Sequence, residues 1–275
     1  MSTDTTTEAV TALKRQHRDT WADGDYPAVA EHIAETPPAA VLEAVDVEGR
    51  RLLDVATGTG NLAIEAAAAG AIVTGLDLVD ELLDVARDRA EERGLAVEWI
   101  EGDAEALPFA DDRFDVVASI FGVQFAPRSE VVARELVRVC RPGGTIVLVN
   151  WTPGGLIGRL FQTMSRHMPP PPPFVTPPPM WGDEAHLREL FGAVGNVQLT
   201  YAMNAFAFDS LDGYMDFFEA NYGPTKRAKE KLEAEGRWDA LRDDLRALYA
   251  SLNTAADGTL HIDAEFVVCR VQLAD

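Results

Sequence analysis

The sequence predicts an α/β protein, a doubly wound and mostly parallel sheet with helices on both faces, and two observations carry that expectation. Between about residues 50 and 151, short apolar runs that read as strands alternate with amphipathic runs that read as helices. The first of those strands, in "LLDVATGTGNLA" (52–63), ends in a turn with two glycines one residue apart, and a helical pattern begins directly behind it. Strand, short crossover helix and strand at such intervals imply parallel neighbours. At 275 residues, 47% of them hydrophobic, the chain can bury a full core, and a single domain with insertions is expected.

Thr5-Thr6-Thr7-Glu8 resembles a capping box, and Val10, Leu13, His17 and Trp21 recur at helical spacing, so a leading helix over 7–35 is expected behind a short frayed end. "RRLLDVA" then reads as a buried strand, "NLAIEAAAA" as a helix and "AIVTGLD" as the second strand. Val79, Leu82, Leu83, Ala86 and Ala90 line one face of the next helix, and "VEWIEGD" and "FDVVASIF" are further strands. Val132, Leu136 and Val139 line a helix that ends at Arg-Pro-Gly-Gly, a glycine-based stop, before "GGTIVLVNW" as the fifth strand. A short irregular helix is expected over 153–168. The tract "MPPPPPFVTPPPMWG" lacks ladder donors and reads as a stiff, extended insertion over the sheet edge. Helices over 184–192, 211–222 and 225–252, with strands near 196–207 and 259–272, complete the chain.

Composition narrows the function. Forty-five acidic against 24 basic residues give a net charge of −21, and only four of the basic residues are lysines. Such a surface repels phosphate backbones, which argues against a nucleic-acid partner, and it suits a salt-adapted or very soluble protein. No run of about 18 apolar residues exists, and "MSTDTTTEAV" lacks a basic flank and an apolar stretch, so a soluble, cytoplasmic protein without a membrane span is expected. Cys140 and Cys269 read as buried small hydrophobes. The five histidines show no metal-ligand spacing, and no metal is expected.

In an open parallel sheet the ligand crevice lies outside the carboxyl ends of the strands. Gly58 and Gly60 allow a tight turn and close approach to the main chain, while the helix beginning near Asn61 presents free N–H groups. Nineteen residues after Gly58, Asp77 ends the second strand, where a carboxylate can accept both hydroxyls of a ribose. "GTGNLA" also offers Ala63 in the third place of a dinucleotide fingerprint, so an NAD(P)-dependent oxidoreductase stays open on that motif alone. Three further features favour one nucleoside with a short tail. "EGDAEALPF" sets Asp103 beside the crevice, "FDVVASIFGVQFAP" has no glycine cradle for a second phosphate, and Arg-Pro-Gly-Gly is expected to narrow the space beside the site.

In that order and spacing, "LLDVATGTGNLA", Asp77, "EGDAEALPF" and "LVRVCRPGGTIVLVNW" resemble the class I S-adenosylmethionine-dependent methyltransferases, most closely the branch with the ubiquinone and menaquinone C-methyltransferases. The resemblance is firm over roughly residues 45 to 151. It implies a seven-stranded sheet of order 3-2-1-4-5-7-6 with an antiparallel last strand, helical lid insertions, S-adenosylmethionine as cofactor and in-line methyl transfer to a small, apolar or aromatic acceptor. It assigns the turn at Ala56, Gly58 and Gly60 to the methionine portion and Asp77 to the ribose. Leu78 would pack on the adenine, Asp103 would accept from its amine, Ala104 would offer its N–H to the ring, and Ser119 and Phe121 would flank the sulfonium. Asp54, Thr57 and Thr59 share the turn and are counted with the cofactor site. Ala56-Thr57 stands where many relatives have Gly-Cys.

Blander readings stand beside these. Asp54 and Asp77 also suit helix capping. His17 and His167 are the candidates for a proton acceptor, although a packed histidine and a helix-end histidine are the commoner roles. Trp21 and Tyr26 either close the cofactor pocket or pack the leading helix. Leu241, Leu245, Leu248 and Leu252 read as a core stripe. Met164, Met168, Phe174, Met180 and Trp181 suggest an apolar lid, or the prolines serve only as a linker. The leading helix and the insertions 153–183 and 211–252 are expected to cap the acceptor. A non-catalytic S-adenosylmethionine-binding module is a further alternative; a DNA amino-methylating enzyme is disfavoured because "SIFGVQ" replaces Asn/Asp-Pro-Pro-Tyr.

Overall fold

The computed structural model describes residues 3–23 and 25–275 of the chain. Three helices precede the sheet: α1 (Thr3–Ala22), α2 (Tyr26–Glu31) and α3 (Thr36–Ala44). The single leading helix expected over 7–35 is therefore broken. Asp25 caps α2 by accepting from the Ala28 N–H, and Pro27 occupies its first turn, so a new helix starts there. α3, with Pro37 and Pro38 in its first turn, has no counterpart among the expected elements. Backbone helix already runs from Thr3, so Thr5–Glu8 lies inside α1 rather than ahead of it; of the expected frayed end, Met1 and Ser2 fall outside the described residues.

β1 (Arg51–Val55), α4 (Asn61–Ala68), β2 (Ile72–Asp77), α5 (Asp80–Glu92), β3 (Val97–Glu101), β4 (Phe114–Ile120), α6 (Ser129–Val139) and β5 (Cys140–Trp151) follow the apolar periods of the sequence. The chain continues through α7 (Leu156–Ser165), α8 (Glu184–Phe191), β6 (Gly195–Phe208), α9 (Leu211–Asn221), α10 (Gly223–Ala234), α11 (Trp238–Leu252) and β7 (Leu260–Leu273). All seven strands form one sheet of order β3-β2-β1-β4-β5-β7-β6, as the resemblance implies. β1 to β5 pair in parallel, and β7 runs antiparallel to both β5 and β6.

Strand alternation sorts side chains onto two cores. Leu52, Val116, Val147 and Trp151 meet α3, α4, α7 and α9 to α11 on one face; Leu53, Val117, Ile146 and Leu148 meet α6 and α8 on the other. The leucine stripe of α11 belongs to the first core, with Leu241 and Leu245 buried, each contributing roughly 1.5–3 kcal/mol relative to exposure. Both cysteines are buried, and burial pushes each thiol up to about 12.

Three expectations fail locally. α6 has no glycine cap: Cys140 is already extended, and Gly143, at φ 64°, lies in the irregular start of β5. Gly143 donates to the Ala274 carbonyl, at the end of the sheet opposite the strands' carboxyl ends, so Arg-Pro-Gly-Gly does not border the crevice. The helix expected over 225–252 is two helices, broken at Gly236 with φ 65°. The proline tract closes in a 3-10 turn, Pro178–Gly182, that buries Trp181 completely on the α8 face.

Candidate active site

The turn after β1 is built from alternating left-handed residues, Ala56 (φ 55°), Gly58 (φ 55°) and Gly60 (φ 81°). Ala56 adopts a conformation that a Cβ disfavours, so the surroundings must impose it. They do so from two sides. Gly122, just past β4, packs so closely that a Cβ there would lie 2.4 Å from that of Ala56. Behind the turn, Thr57 donates its N–H to the Leu76 carbonyl at 3.0 Å and its hydroxyl to Asp54 Oδ2 at 2.5 Å. Burial pushes the Asp54 carboxyl up to about 7, against the Thr57 hydroxyl and the Ala63 N–H, which favour its charge.

Asp77 joins two turns. Its Oδ2 accepts from the Gly58 N–H at 2.7 Å and its Oδ1 from the Val79 N–H at 3.0 Å. Burial raises its carboxyl above the ordinary range, opposed by the N–H groups of Gly58, Val79 and Leu78. The buried position follows from β2, whose parallel pairing with β1 brings residue 77 level with the turn.

These groups open onto a cavity enclosing about 780 Å³ of space not filled by protein atoms. It gathers Ala56, Gly58, Asp77, Leu78, Asp103, Ala104 and Phe121 from the carboxyl ends of four strands, with His17, Trp21 and Tyr26 from the N-terminal helices. Other expected site residues stay outside it. Asp54, Thr57 and Thr59 border a smaller recess behind the turn. Gly60 is the N-cap of α4 and packs against Trp99, 2.9 Å from where a Cβ would stand. Ser119 is fully buried beneath a 3-10 turn (Val123–Phe125), accepting from the Val123 N–H at 3.2 Å, so its side chain does not reach the cavity. His167 pairs with Asp244 at 2.7 Å and lines neither this cavity nor its neighbour. The His17 imidazole, by contrast, faces the cavity, and burial lowers its pKa despite nearby Glu105, which keeps it neutral.

Lys14 also lines the cavity, reaching Asp103 at 2.5 Å and Glu105 at 2.6 Å. Helical spacing could have found it, because Lys14, His17 and Trp21 share one face of α1. Glu105 also accepts from the Arg128 side chain. Asp103 keeps lone pairs beyond those taken by Lys14 and by the Glu105 N–H.

A second cavity, enclosing about 560 Å³, shares Trp21, Tyr26, Phe121 and Phe125 with the first. Its remaining wall comes from α2, α7, α9, α10, α11 and the sheet, and no charged side chain lines it. Phe121, at φ 54°, stacks on Trp151 at 3.7 Å between centroids with the two rings nearly parallel. From the stretch 153–183 only Ile157 and Leu160 of α7 contribute. The expected apolar lid does not assemble: Met164 is in the first core, Trp181 in the second, and Met180 is exposed. Burial leaves Met164 and Trp181 no face to offer a ligand.

Residues 53–148 match the family model for a methyltransferase domain. The chain belongs to the class I S-adenosylmethionine-dependent methyltransferases. This methyltransferase is 42% identical over 231 residues to an uncharacterized protein of Mycobacterium tuberculosis, covering 83% of this chain and 84% of that one. It is 42% identical over 137 residues to the demethylmenaquinone methyltransferase of Deinococcus radiodurans, covering 48% of this chain and 56% of that one. The YcgJ protein of Bacillus subtilis shares its fold, with a TM-score of 0.61 at 17% identity over 87% of this chain and 98% of that one. Family membership removes the NAD(P)-dependent oxidoreductase that the glycine turn alone left open. The family match spans β1 to β5 and leaves out, on either side, the helices that line the second cavity. Among the described residues, no helix is long and apolar enough to cross a membrane, and no group of three His, Cys, Asp or Glu is placed to hold a metal ion.

Proposed function

We propose that the methyltransferase acts in the cytoplasm on a small apolar or aromatic molecule held in the second cavity, with α1, α2, α7 and α9 to α11 as its cap. One observation carries this reading: an uncharged, largely aromatic cavity shares a wall with the cavity that holds the glycine turn and Asp77. The first cavity suits S-adenosylmethionine. Ala56 and Gly58 leave room for the methionine portion, and the Asp77 carboxylate, with about four acceptor sites, keeps capacity beyond its N–H partners for the ribose hydroxyls. Leu78 packs on the adenine, while Asp103 and the Ala104 N–H meet its polar edge.

When bound, the cofactor would supply an electrophilic methyl on a sulfonium leaving group, suited to in-line substitution by an electron pair of the acceptor. The chain's part is to position and to exclude water. Trp21, Tyr26, Phe121 and Phe125 offer π-faces, which favour a sulfonium cation as they favour quaternary ammonium. Burial raises the pKa of Tyr26, Tyr222 and Tyr249, so none of these phenols accepts or loses a proton near neutrality. Among the described residues that line either cavity His17 is the one histidine, on the wall of the first, and it is the group assigned to take a proton where an acceptor must lose one. S-adenosylhomocysteine formation on a panel of phenols, aryl thiols, amines and hydrophilic acids tests the reading. Turnover confined to the hydrophilic acids would defeat it.

A further inference from the structure

We propose that the N-terminus of α10 is an oxygen-binding subsite of the second cavity, where Thr225 orients an aryl acceptor through a carbonyl or phenol oxygen. The proposal rests on the acceptor-cavity reading above and deepens it. Thr225 lines that cavity and is only 3% exposed, yet its hydroxyl has no hydrogen-bond partner among the described residues. Buried hydroxyls in folded proteins are nearly always paired, so a lone one facing a cavity marks the place of a ligand atom.

The helix end adds a second, independent reason. Tyr222, the N-cap of α10, also lines the cavity and makes no side-chain cap, while Pro224 has no N–H. The first cap bond runs from the Lys226 N–H to the Tyr222 carbonyl at 3.0 Å, and the Thr225 N–H donates to no protein acceptor among the described residues. Free N–H groups at the start of a 12-residue helix favour an oxygen carrying partial or full negative charge. Two neighbouring carboxylates are already engaged, Glu219 on α9 by Lys229 at 3.1 Å and Arg242 at 2.6 Å, and Asp23 by Lys226 and Arg227, and neither lines the cavity. With no cationic side chain on the wall, a neutral carbonyl or phenol oxygen is matched and a carboxylate or phosphate is not. Phe218, Tyr222 and Tyr249 supply ring faces around the same space.

2-Naphthol and 2-methylnaphthalene share a shape and differ by one hydroxyl. Equilibrium dialysis of each against the full chain, saturated with S-adenosylhomocysteine, isolates the oxygen contact. The native protein should hold 2-naphthol about tenfold tighter or more. Thr225→Val, which keeps the side-chain shape, should abolish that preference, and Thr225→Ser should restore most of it. Equal affinities in the native protein, an undiminished preference in Thr225→Val, or binding of neither compound overturns the subsite. Titrating S-adenosylhomocysteine alone reports on the first cavity, so its failure to bind would mark a fault in the cofactor reading rather than in the role of Thr225.

Discussion

Asp77 holds the site by two bonds that a helix cap alone would not explain, since it ties the Gly58 turn to the start of α5. Asp77→Ala should weaken S-adenosylhomocysteine binding by about 1.5–3 kcal/mol, or about 10- to 150-fold, in titration calorimetry. Unchanged affinity would reject the ribose assignment. Asp54 makes a pH prediction. Its folded pKa of about 7 stands above the ordinary 3.8, so between those values the folded protein keeps a proton that the unfolded chain has lost. Stability should therefore fall as pH rises from about 4 to 7, and Asp77, raised in the same direction, adds to the slope. Urea midpoints at pH 5 and 7.5 test this, and Asp54→Asn should flatten the difference; equal midpoints in the native protein would contradict it. At this scale the meeting of the Gly58 turn with Asp77 was legible, because motif spacing lies along the chain. Ser119 was not, because which side of a strand end faces a ligand depends on the loop that folds over it.

α1 buries little of itself; Val10 is its one fully buried apolar side chain among the described residues, with Trp21 edge-on to Tyr26, Phe125 and Tyr222. Ion pairs do the rest of the holding: Lys14 to Asp103 and Glu105, Arg18 to Glu101 at 3.1 Å, and Asp23 to Lys226 and Arg227 of α10. Because Lys14 stands beside the expected adenine contacts, Lys14→Met should speed S-adenosylhomocysteine dissociation several-fold in stopped-flow fluorescence and lessen the salt dependence of that rate. A rate equal to that of the native protein would show that α1 does not restrain the cofactor. Gly122→Ala should cost about 1–3 kcal/mol of stability, because the added Cβ meets Ala56 in a turn already left-handed; thermal unfolding measures it. Strands and their crossover helices were legible from apolar period. The breaks at Asp25 and Gly236 and the start of β5 at Cys140 were not, since helical spacing continues through a short turn and only packing shows where the axis changes.

The whole molecule carries −21 on 275 residues, and three of its four lysines, Lys14, Lys226 and Lys229, are engaged in ion pairs around the cap. Self-repulsion of that size is screened by salt, so the unfolding temperature should rise between 0.1 and about 1 M KCl even as the α1 pairs weaken. A flat or falling curve in differential scanning calorimetry would show that the acidic surface brings no such dependence. By itself the sequence determined the α/β alternation, the glycine turn and the acid that answers it, because each is a pattern among residues close along one chain. The sheet order came with the family resemblance to those motifs. Tertiary structure alone decided that Lys14 meets Asp103, 89 residues away, and that aromatics from α1, α2, α7 and α9 to α11 converge on Phe121 and Thr225. Such encounters are set by how helices dock on a twisted sheet, and no local period records where two distant faces will touch.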